Sequence, residues 1–147
     1  MSIIGKGLRV GIAAAFGIVA LTSAAAAQAS PAATQTIVDH ATGFCLDSAT
    51  NNNAYTLPCN GGGFQKWVYN PTTSTIRDVA TGYCLDSNTD GKAYALPCNG
   101  GNFQNWQLTF GIGTIRDVAT GFCLDSSTDG RLYTLPCNGG DFQNWIK

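Results

Sequence analysis

Apolar and polar positions alternate over short stretches along most of this chain, and turn-forming residues separate the stretches. Between residues 75 and 108, four runs rich in β-branched, apolar and aromatic residues are divided by Ala-Thr-Gly, Asn-Thr-Asp-Gly and Cys-Asn-Gly-Gly. Turn signals at this spacing are typical of short strands joined by tight turns. The pattern predicts strands at residues 75–78, 83–86, 93–96 and 103–108.

One unit of this pattern occurs three times at intervals of 39 residues. Each copy contains Ile-x-Asp-x-Ala-Thr-Gly-(Phe/Tyr)-Cys-Leu-Asp, starting at Ile37, Ile76 and Ile115. A unit of this size cannot bury its own apolar face, so the copies must stack in a row or close into a ring. Because nothing resembling a capping unit flanks them, we predict a closed all-β ring. The repeats span about residues 36–70, 75–109 and 114–147.

The first residues are typical of a secretory signal peptide. Lys6 and Arg9 precede an apolar run of about a dozen residues, and the alanine-rich segment that follows offers small-residue cleavage sites. The run is shorter than the roughly 20 residues that a membrane-spanning helix needs. We therefore predict a signal peptide at residues 1–29, a single domain at residues 30–147, and a secreted, extracellular protein that does not engage a membrane.

Charge and cysteine usage narrow the function further. Without Lys6 and Arg9, six basic residues stand against nine aspartates, which leaves a net charge near −3 and no basic patch for nucleic acid. Six cysteines after an export signal predict disulfides in an oxidising compartment. Threefold repetition leaves two main pairing schemes, within each repeat or from each repeat to the next.

Each repeat also carries Cys-Leu-Asp, a second cysteine 14 residues after the first, and Gln-x-Trp ending at Trp67, Trp106 or Trp145. This combination resembles the ricin-type β-trefoil lectin family. The resemblance implies a β-trefoil of three 39-residue repeats with four strands each, and one possible sugar pocket per lobe. It also implies pairing within each repeat, the scheme we expect. The expected disulfides are Cys45–Cys59, Cys84–Cys98 and Cys123–Cys137.

The aspartate of each Cys-Leu-Asp matches the position of the family's sugar-binding carboxylate. A carboxylate accepts two hydrogen bonds from neighbouring hydroxyls, and a charged acceptor binds them more strongly than a neutral one. We expect these side chains to face solvent and contact sugar; the alternative is a turn residue that bonds its own backbone. The three residues are Asp47, Asp86 and Asp125.

A sugar pocket also needs an aromatic surface for the C–H face of the ring. The family position for it, two residues before the second cysteine, holds leucine here, and a tyrosine stands two residues earlier. These tyrosines face either the ligand or the core, because a one-residue slip in register exchanges the two faces of a strand. The three residues are Tyr55, Tyr94 and Tyr133.

A second departure precedes each Gln-x-Trp, where sugar-binding members carry asparagine and this chain has phenylalanine at Phe64, Phe103 and Phe142. The asparagine after each second cysteine could supply a replacement amide, or could simply form the Asn-Gly-Gly turn. We interpret Gln-x-Trp itself as architecture, with Trp in the core and Gln bonding buried backbone. The candidate amides are Asn60, Asn99 and Asn138.

No constellation for catalysis is evident. Acid–base hydrolysis needs two carboxylates within several ångströms, whereas the matching aspartates fall on different repeats. One histidine and paired cysteines match no zinc pattern, and the calcium-like run from Asp86 to Gly91 lacks the glutamate that completes such a loop. We predict no enzyme, no cofactor and no metal.

These observations predict a monomeric, lectin-like module with up to three equivalent weak pockets for glycans or polysaccharide, galactosides and xylan among them. The altered aromatic and asparagine positions keep a second hypothesis open. That alternative is an extracellular module that recognises a non-sugar partner or inhibits a protease, with vestigial pockets.

Overall fold

A computed structural model of the chain describes residues 11–21, 24–27 and 32–147, which belong to two units, Met1–Ser30 and Pro31–Lys147. In the first unit the described residues form neither helix nor strand. Lys6, Arg9 and the end of the predicted signal peptide lie outside the described residues. Among the residues described, no helix has the length and apolarity needed to cross a bilayer.

The second unit contains three lobes of four strands each, plus one two-residue strand before the first lobe and another before the third. The first lobe comprises β2 (Val38–Asp39), β3 (Cys45–Ser48), β4 (Ala54–Leu57) and β5 (Trp67–Asn70). The second comprises β6 (Thr75–Asp78), β7 (Cys84–Ser87), β8 (Ala93–Leu96) and β9 (Trp106–Leu108). The third comprises β11 (Ile115–Asp117), β12 (Cys123–Ser126), β13 (Leu132–Leu135) and β14 (Trp145–Ile146). The additional strands are β1 (Thr34–Gln35) and β10 (Ile112–Gly113).

Antiparallel pairing across the lobe boundaries closes the ring. The last strand of each lobe pairs with the first strand of the next, β5 with β6, β9 with β11 and β14 with β2. The β14–β2 pair joins the third lobe to the first. The predicted all-β trefoil, closed rather than stacked in an open row, is therefore confirmed.

The strand predictions for the second lobe hold at three of the four segments. β6 and β8 have the predicted bounds, and β7 begins one residue later than predicted. The fourth segment is wrong in its first half, because Asn102–Gln104 forms a 3₁₀ turn and the strand begins only at Trp106. This turn carries the chain inward, so that Gln104 and Trp106 are both fully buried.

Three large apolar side chains from each lobe form most of the core, and Leu132 adds to it from the third lobe. One tryptophan, one isoleucine and the leucine of Cys-Leu-Asp have no exposed surface in any lobe. Each indole Nε1 donates to that leucine's carbonyl oxygen within its own lobe, at 2.9–3.0 Å, so the only polar atom of the indole is satisfied. The core residues are Trp67, Trp106, Trp145, Ile37, Ile76, Ile115, Leu46, Leu85 and Leu124.

Three hairpins, β3–β4, β7–β8 and β12–β13, meet at one end of the ring and form a cap. One backbone hydrogen bond joins each neighbouring pair of hairpins, for example from Thr134 N to Gly91 O at 2.8 Å. The equivalent bonds run from Thr56 N to Gly130 O and from Ala95 N to Asn52 O. The cap therefore holds the three lobes in one mutual arrangement.

Disulfides and buried aspartates complete the framework. Each lobe has one internal disulfide with 5.0 Å between the two Cα atoms, which confirms the within-repeat pairing that the family resemblance implied. The buried Asp39 carboxylate accepts hydrogen bonds from Ala41 N at 3.2 Å, Thr42 Oγ1 at 2.6 Å and, from the third lobe, Ser126 Oγ at 2.7 Å. It therefore both closes a turn and joins two lobes. The disulfides are Cys45–Cys59, Cys84–Cys98 and Cys123–Cys137.

Candidate functional site

The two strands of each cap hairpin place an aspartate directly opposite a tyrosine. In the first lobe Asp47 pairs with Tyr55. The next pair along the hairpin, Leu46 and Thr56, points into the core and has no exposed surface. The tyrosine therefore lies on the outward side of the hairpin together with the aspartate, half-buried, and does not belong to the core. The other lobes repeat the arrangement with Asp86 opposite Tyr94 and Asp125 opposite Tyr133.

A shallow cavity of about 340 Å³ opens over this face of the first lobe. Asp47 and Tyr55 line it together with Leu57, Asn60 and Phe64. The cavity brings together a carboxylate, an amide and aromatic rings, the groups that recognise sugar hydroxyls and the C–H face of a pyranose. All three kinds of candidate residue named from the sequence thus lie in one place in this lobe.

The three aspartates are far less exposed than we expected. Asp47, Asp86 and Asp125 are 4%, 3% and 4% exposed, so the expectation of solvent-facing side chains is wrong. The reason is the glutamine of Gln-x-Trp, whose Nε2 donates to the aspartate Oδ2 at 2.7, 2.7 and 2.9 Å in the three lobes. This buried amide holds each carboxylate in place without any ligand.

The glutamine is itself held at both ends of its amide. In the first lobe Gln65 Oε1 accepts from Asn60 N at 2.8 Å, and Gln65 Nε2 also donates to Pro58 O at 3.2 Å. The same two contacts recur at Gln104 and Gln143. Gln-x-Trp is architecture, as the sequence suggested, but its glutamine also orients the site carboxylate.

Burial sets the protonation behaviour of the second and third pockets. Desolvation raises the pKa of Asp86 and of Asp125, and the glutamine hydrogen bond offsets part of that rise. The nearby carboxylates of Asp117 and Asp39, respectively, raise these two pKa values further. These two sites therefore lose their negative charge at a higher pH than an exposed aspartate does.

The tyrosine hydroxyls are engaged with backbone. Tyr94 and Tyr133 donate to the carbonyls of Ser87 and Ser126 at 2.9 Å, and Tyr55 makes the equivalent contact at 3.4 Å. Desolvation, followed by the neighbouring aspartate, raises the pKa of each tyrosine. The hydroxyl consequently stays protonated as a donor, and the ring is the part that a ligand can contact.

The asparagines form the predicted Asn-Gly-Gly turn, and Asn60 also lines the cavity of the first lobe. Asn60 Oδ1 accepts from Gly62 N at 2.8 Å, which uses the carbonyl half of the amide in the turn. Asn99 and Asn138 make the same bond in their lobes. The amide N–H groups of these exposed side chains remain available to a ligand.

Phenylalanine is the site residue that the sequence reasoning missed. Phe64 lines the cavity of the first lobe, and Phe64, Phe103 and Phe142 remain 40%, 37% and 36% exposed. From the sequence alone, these positions indicate only the loss of an asparagine. The signal that could have identified them is a large aromatic residue within a short polar turn that the core has no room to take, since Gln and Trp occupy the adjoining buried places.

The described residues include no group of three or more His, Cys, Asp or Glu side chains placed to hold a metal ion. The segment that imitates a calcium loop is instead a turn, in which Asn88 Oδ1 accepts from Asp90 N and Lys92 N at 3.0 Å. What the pockets offer is hydrogen bonding and apolar contact.

Comparisons with known proteins agree with the fold. The designed threefold-symmetric protein ThreeFoil superposes with a TM-score of 0.68 at 21% identity, covering 77% of this chain and 96% of its own. The C-terminal half of an earthworm R-type lectin, solved in complex with GalNAc, gives 0.65 at 18% identity over 79% and 97%. The hemolytic lectin CEL-III gives 0.68 at 21% over 77% of this chain and 29% of its own.

At these identities the superpositions establish the fold, and a search of curated protein sequences gives no significant match. The model of the ricin-type β-trefoil lectin domain matches residues 33–145, most of the chain. On that match the chain belongs to the ricin-type β-trefoil lectin family, a family of carbohydrate-binding domains.

Proposed function

We propose that this protein is a secreted carbohydrate-binding module that holds glycans through three equivalent, weak pockets. The observation that carries the proposal is a set of groups that line one cavity in the first lobe, a fixed carboxylate, a half-buried tyrosine, an exposed phenylalanine and an asparagine amide, and that recur at the same positions of the other two lobes. A single constellation of this kind could be incidental. Three copies in one register support a shared role in binding.

Each group has a distinct role in this proposal. The aspartate accepts hydrogen bonds from neighbouring sugar hydroxyls, and its orientation by glutamine reduces the entropy lost on binding. Tyrosine and phenylalanine cover the C–H face of the ring. The amide of asparagine donates to a further hydroxyl. In the first lobe these residues are Asp47, Tyr55, Phe64 and Asn60.

Shallow pockets of this size bind single sugars weakly, because few contacts must offset the ordering of ligand and side chains. Three pockets on one body can engage a polymer together and gain orders of magnitude in avidity. A polysaccharide or a densely glycosylated surface is therefore the favoured ligand over a free monosaccharide. Galactosides and xylan are the first candidates to test.

The protein acts in this proposal as a binding monomer without catalysis. The earthworm lectin with a similar fold was solved with GalNAc bound, which supports galactose-type sugars as probes. Three disulfides and the predicted signal peptide at residues 1–29 support export. Recovery of the chain from culture medium with an N-terminus near residue 30 would test the export step.

The decisive variant replaces all three aspartates by asparagine, D47N/D86N/D125N. Asparagine keeps an oxygen that can accept the glutamine N–H, so the buried network loses charge without being left open. Binding to immobilised galactan or xylan should fall by at least about tenfold per removed charged contact that the polymer uses. Circular dichroism and the melting temperature should stay close to those of the parent.

A matched control is D129N, which removes an exposed aspartate in the turn between β12 and β13 that pairs with Arg131 at 2.8 Å and is not one of the proposed sugar contacts. This control should bind like the parent. If the triple variant binds every glycan on a broad array as well as the parent does, the pockets do not bind sugar. Recognition of a non-sugar partner would then be the better hypothesis.

A further inference from the structure

A larger cavity than that of the first lobe lies outside the hairpin pockets, beside the second of them. It is a groove of about 870 Å³ at the boundary between the first and second lobes, and we call it the Arg77 groove. Its floor follows one row of directly paired residues across the outer sheet face, Thr34 to Val68, Val68 to Arg77, and Arg77 to Cys84. Hydroxyls and amides form its rim, including Thr73, Thr75, Asn70 and Asn105.

Arg77 stands in this groove with its guanidinium uncommitted. It is exposed, and no residue in the described part of the chain gives it a hydrogen bond or a carboxylate partner. The one acid that lines the groove is the neighbouring Asp78, which is fully buried and whose Oδ1 accepts from Thr81 N at 2.7 Å. Strand alternation places Asp78 on the core side together with Ile76, so it does not neutralise Arg77.

The equivalent positions in the other lobes are different. Arg116 occupies the same register in the third lobe, but its Nε donates to Gly121 O at 2.8 Å. Val38 occupies it in the first lobe, beside Ile146. Among the described residues, an arginine without a protein partner therefore occupies this register at the boundary between the first and second lobes and not at the other two, although the fold repeats three times.

We propose that the Arg77 groove binds a uronic acid residue of an acidic polysaccharide. A guanidinium presents parallel N–H donors that match the two oxygens of a planar carboxylate. The apolar floor at Val68 suits the C–H face of the sugar, and the threonine and asparagine rim suits its hydroxyls. The site is separate from the hairpin pockets and adds a charge preference to the proposed sugar binding.

The groove also lies close to the second hairpin pocket. Gly100 is part of its lining, and Gly100 follows Asn99, the candidate amide of that pocket. A Cβ added to Gly100 would meet nothing within 4 Å, so the surface is open at this residue. One polymer chain can run from the pocket of Asp86 over Gly100 to Arg77.

The test compares polygalacturonate with its fully methyl-esterified form, because esterification removes the charge and keeps the sugar backbone. The parent protein should bind the acidic polymer about fivefold more tightly at low ionic strength, and salt should diminish the difference. R77V should abolish this preference and leave binding to the ester unchanged. The fold tolerates valine at this register, as Val38 shows.

R116V is the matched control, since it removes the same charge from the same register in the third lobe, and it should retain the acid preference. Equal losses in R77V and R116V, or no preference in the parent, would overturn the proposal. The measurement is repeated in D47N/D86N/D125N, where the acid preference should persist while ester binding falls. If the triple aspartate variant still binds the ester as the parent does, the hairpin pockets do not bind this sugar. The comparison of R77V with R116V would still test the Arg77 groove.

Discussion

The three hairpin pockets are near copies of one another, whereas the three outer sheet faces differ. In every pocket a glutamine holds the aspartate and an asparagine closes a turn onto a glycine. Across the outer faces, by contrast, the paired rows share almost no residues. The rows are Thr34–Val68–Arg77, Gln107–Arg116 and Ile112–Ile146–Val38.

The difference follows from how each residue is held. A pocket residue such as Gln65 satisfies several buried partners at once, so any change in it leaves an unpaired polar group that costs about 1–3 kcal/mol. A residue of the outer row needs only to suit a strand with one face in solvent. Threefold structure therefore permits the faces to acquire different ligands while the pockets stay alike.

The largest expected effect comes from breaking the cap that carries all three pockets. Gly130 has φ +85°, and a Cβ there would lie 2.6 Å from the backbone oxygen of Thr56. Gly130→Ala should lower the free energy of unfolding by about 2–4 kcal/mol and the melting temperature by roughly 10 °C. Thermal melts followed by circular dichroism measure this directly.

The first lobe supplies the control for that variant. Asn52 occupies the position equivalent to Gly130, already has φ 70°, and accepts a hydrogen bond from Ala95 N. Asn52→Gly should therefore change stability by less than about 1 kcal/mol. A loss in Gly130→Ala no larger than that of Asn52→Gly would show that the cap does not depend on close backbone contact.

Repetition made the fold predictable, since three units in step must share one environment. The closed ring and the buried tryptophans follow from residues whose role is the same in every copy, whereas the choice between the two disulfide schemes came from the family resemblance. The depth of Asp47 could not be predicted, because its partner Gln65 lies 18 residues away and strand alternation indicates a side, not a degree of burial.

The side of the hairpin on which the tyrosines lie could be determined only from the register of the strand pairing. Alternation places Tyr55 and Leu57 on the same side, but either side satisfied the sequence pattern. Pairing of Asp47 with Tyr55 decides the matter, and it depends on the geometry of the turn between β3 and β4. The role of Phe64 could not be recognised by comparing its position with the asparagine of the family. That comparison shows which side chain is lost and does not show that the phenylalanine ring stays exposed.

Removing the pocket phenylalanines sharpens the contrast between pockets and faces. F64A/F103A/F142A takes away the exposed ring from each pocket and should weaken polymer binding by about tenfold or more, with a small change in melting temperature. Phe110→Ala removes a 74% exposed ring that lies outside the pockets and should leave binding as it was. Equal losses from both variants would mean that the protein binds through general apolar contact.

Acidification should separate binding from folding. Burial raises the pKa of Asp86 and Asp125 above the ordinary value of 3.8, so two pockets become neutral while an exposed aspartate would still be charged. Polymer affinity should therefore fall several-fold as the pH decreases toward 4. The comparison is isothermal titration calorimetry at stepwise pH, with D47N/D86N/D125N as the variant that lacks the dependence.

The effect of these two groups on stability has the opposite sign. Because the folded-state pKa is raised, the folded protein binds protons more readily than the unfolded chain does, and this contribution favours the fold fully below about pH 3.8. It disappears as the pH rises through the raised pKa values. Loss of binding that coincides with unfolding would contradict the assignment of the acid response to these carboxylates.

The smallest expected effect concerns a core position at which the cap hairpins differ, Thr56, Ala95 and Thr134. The hydroxyls of Thr56 and Thr134 are buried with no hydrogen-bond partner among the described residues, and Ala95 shows that the fold does not need one. Thr56→Val replaces the hydroxyl by a methyl group of similar size, which removes an unsatisfied polar group and should stabilise by about 0–1 kcal/mol. Thr56→Ala leaves a small void and should be slightly less stable than Thr56→Val.

Glycan binding should be the same in all three proteins, since the side chain points away from the pocket. A Thr56→Val variant less stable than the parent by more than about 1 kcal/mol would show that the hydroxyl is hydrogen-bonded, and that the first and third lobes need a polar group that the second lobe does without.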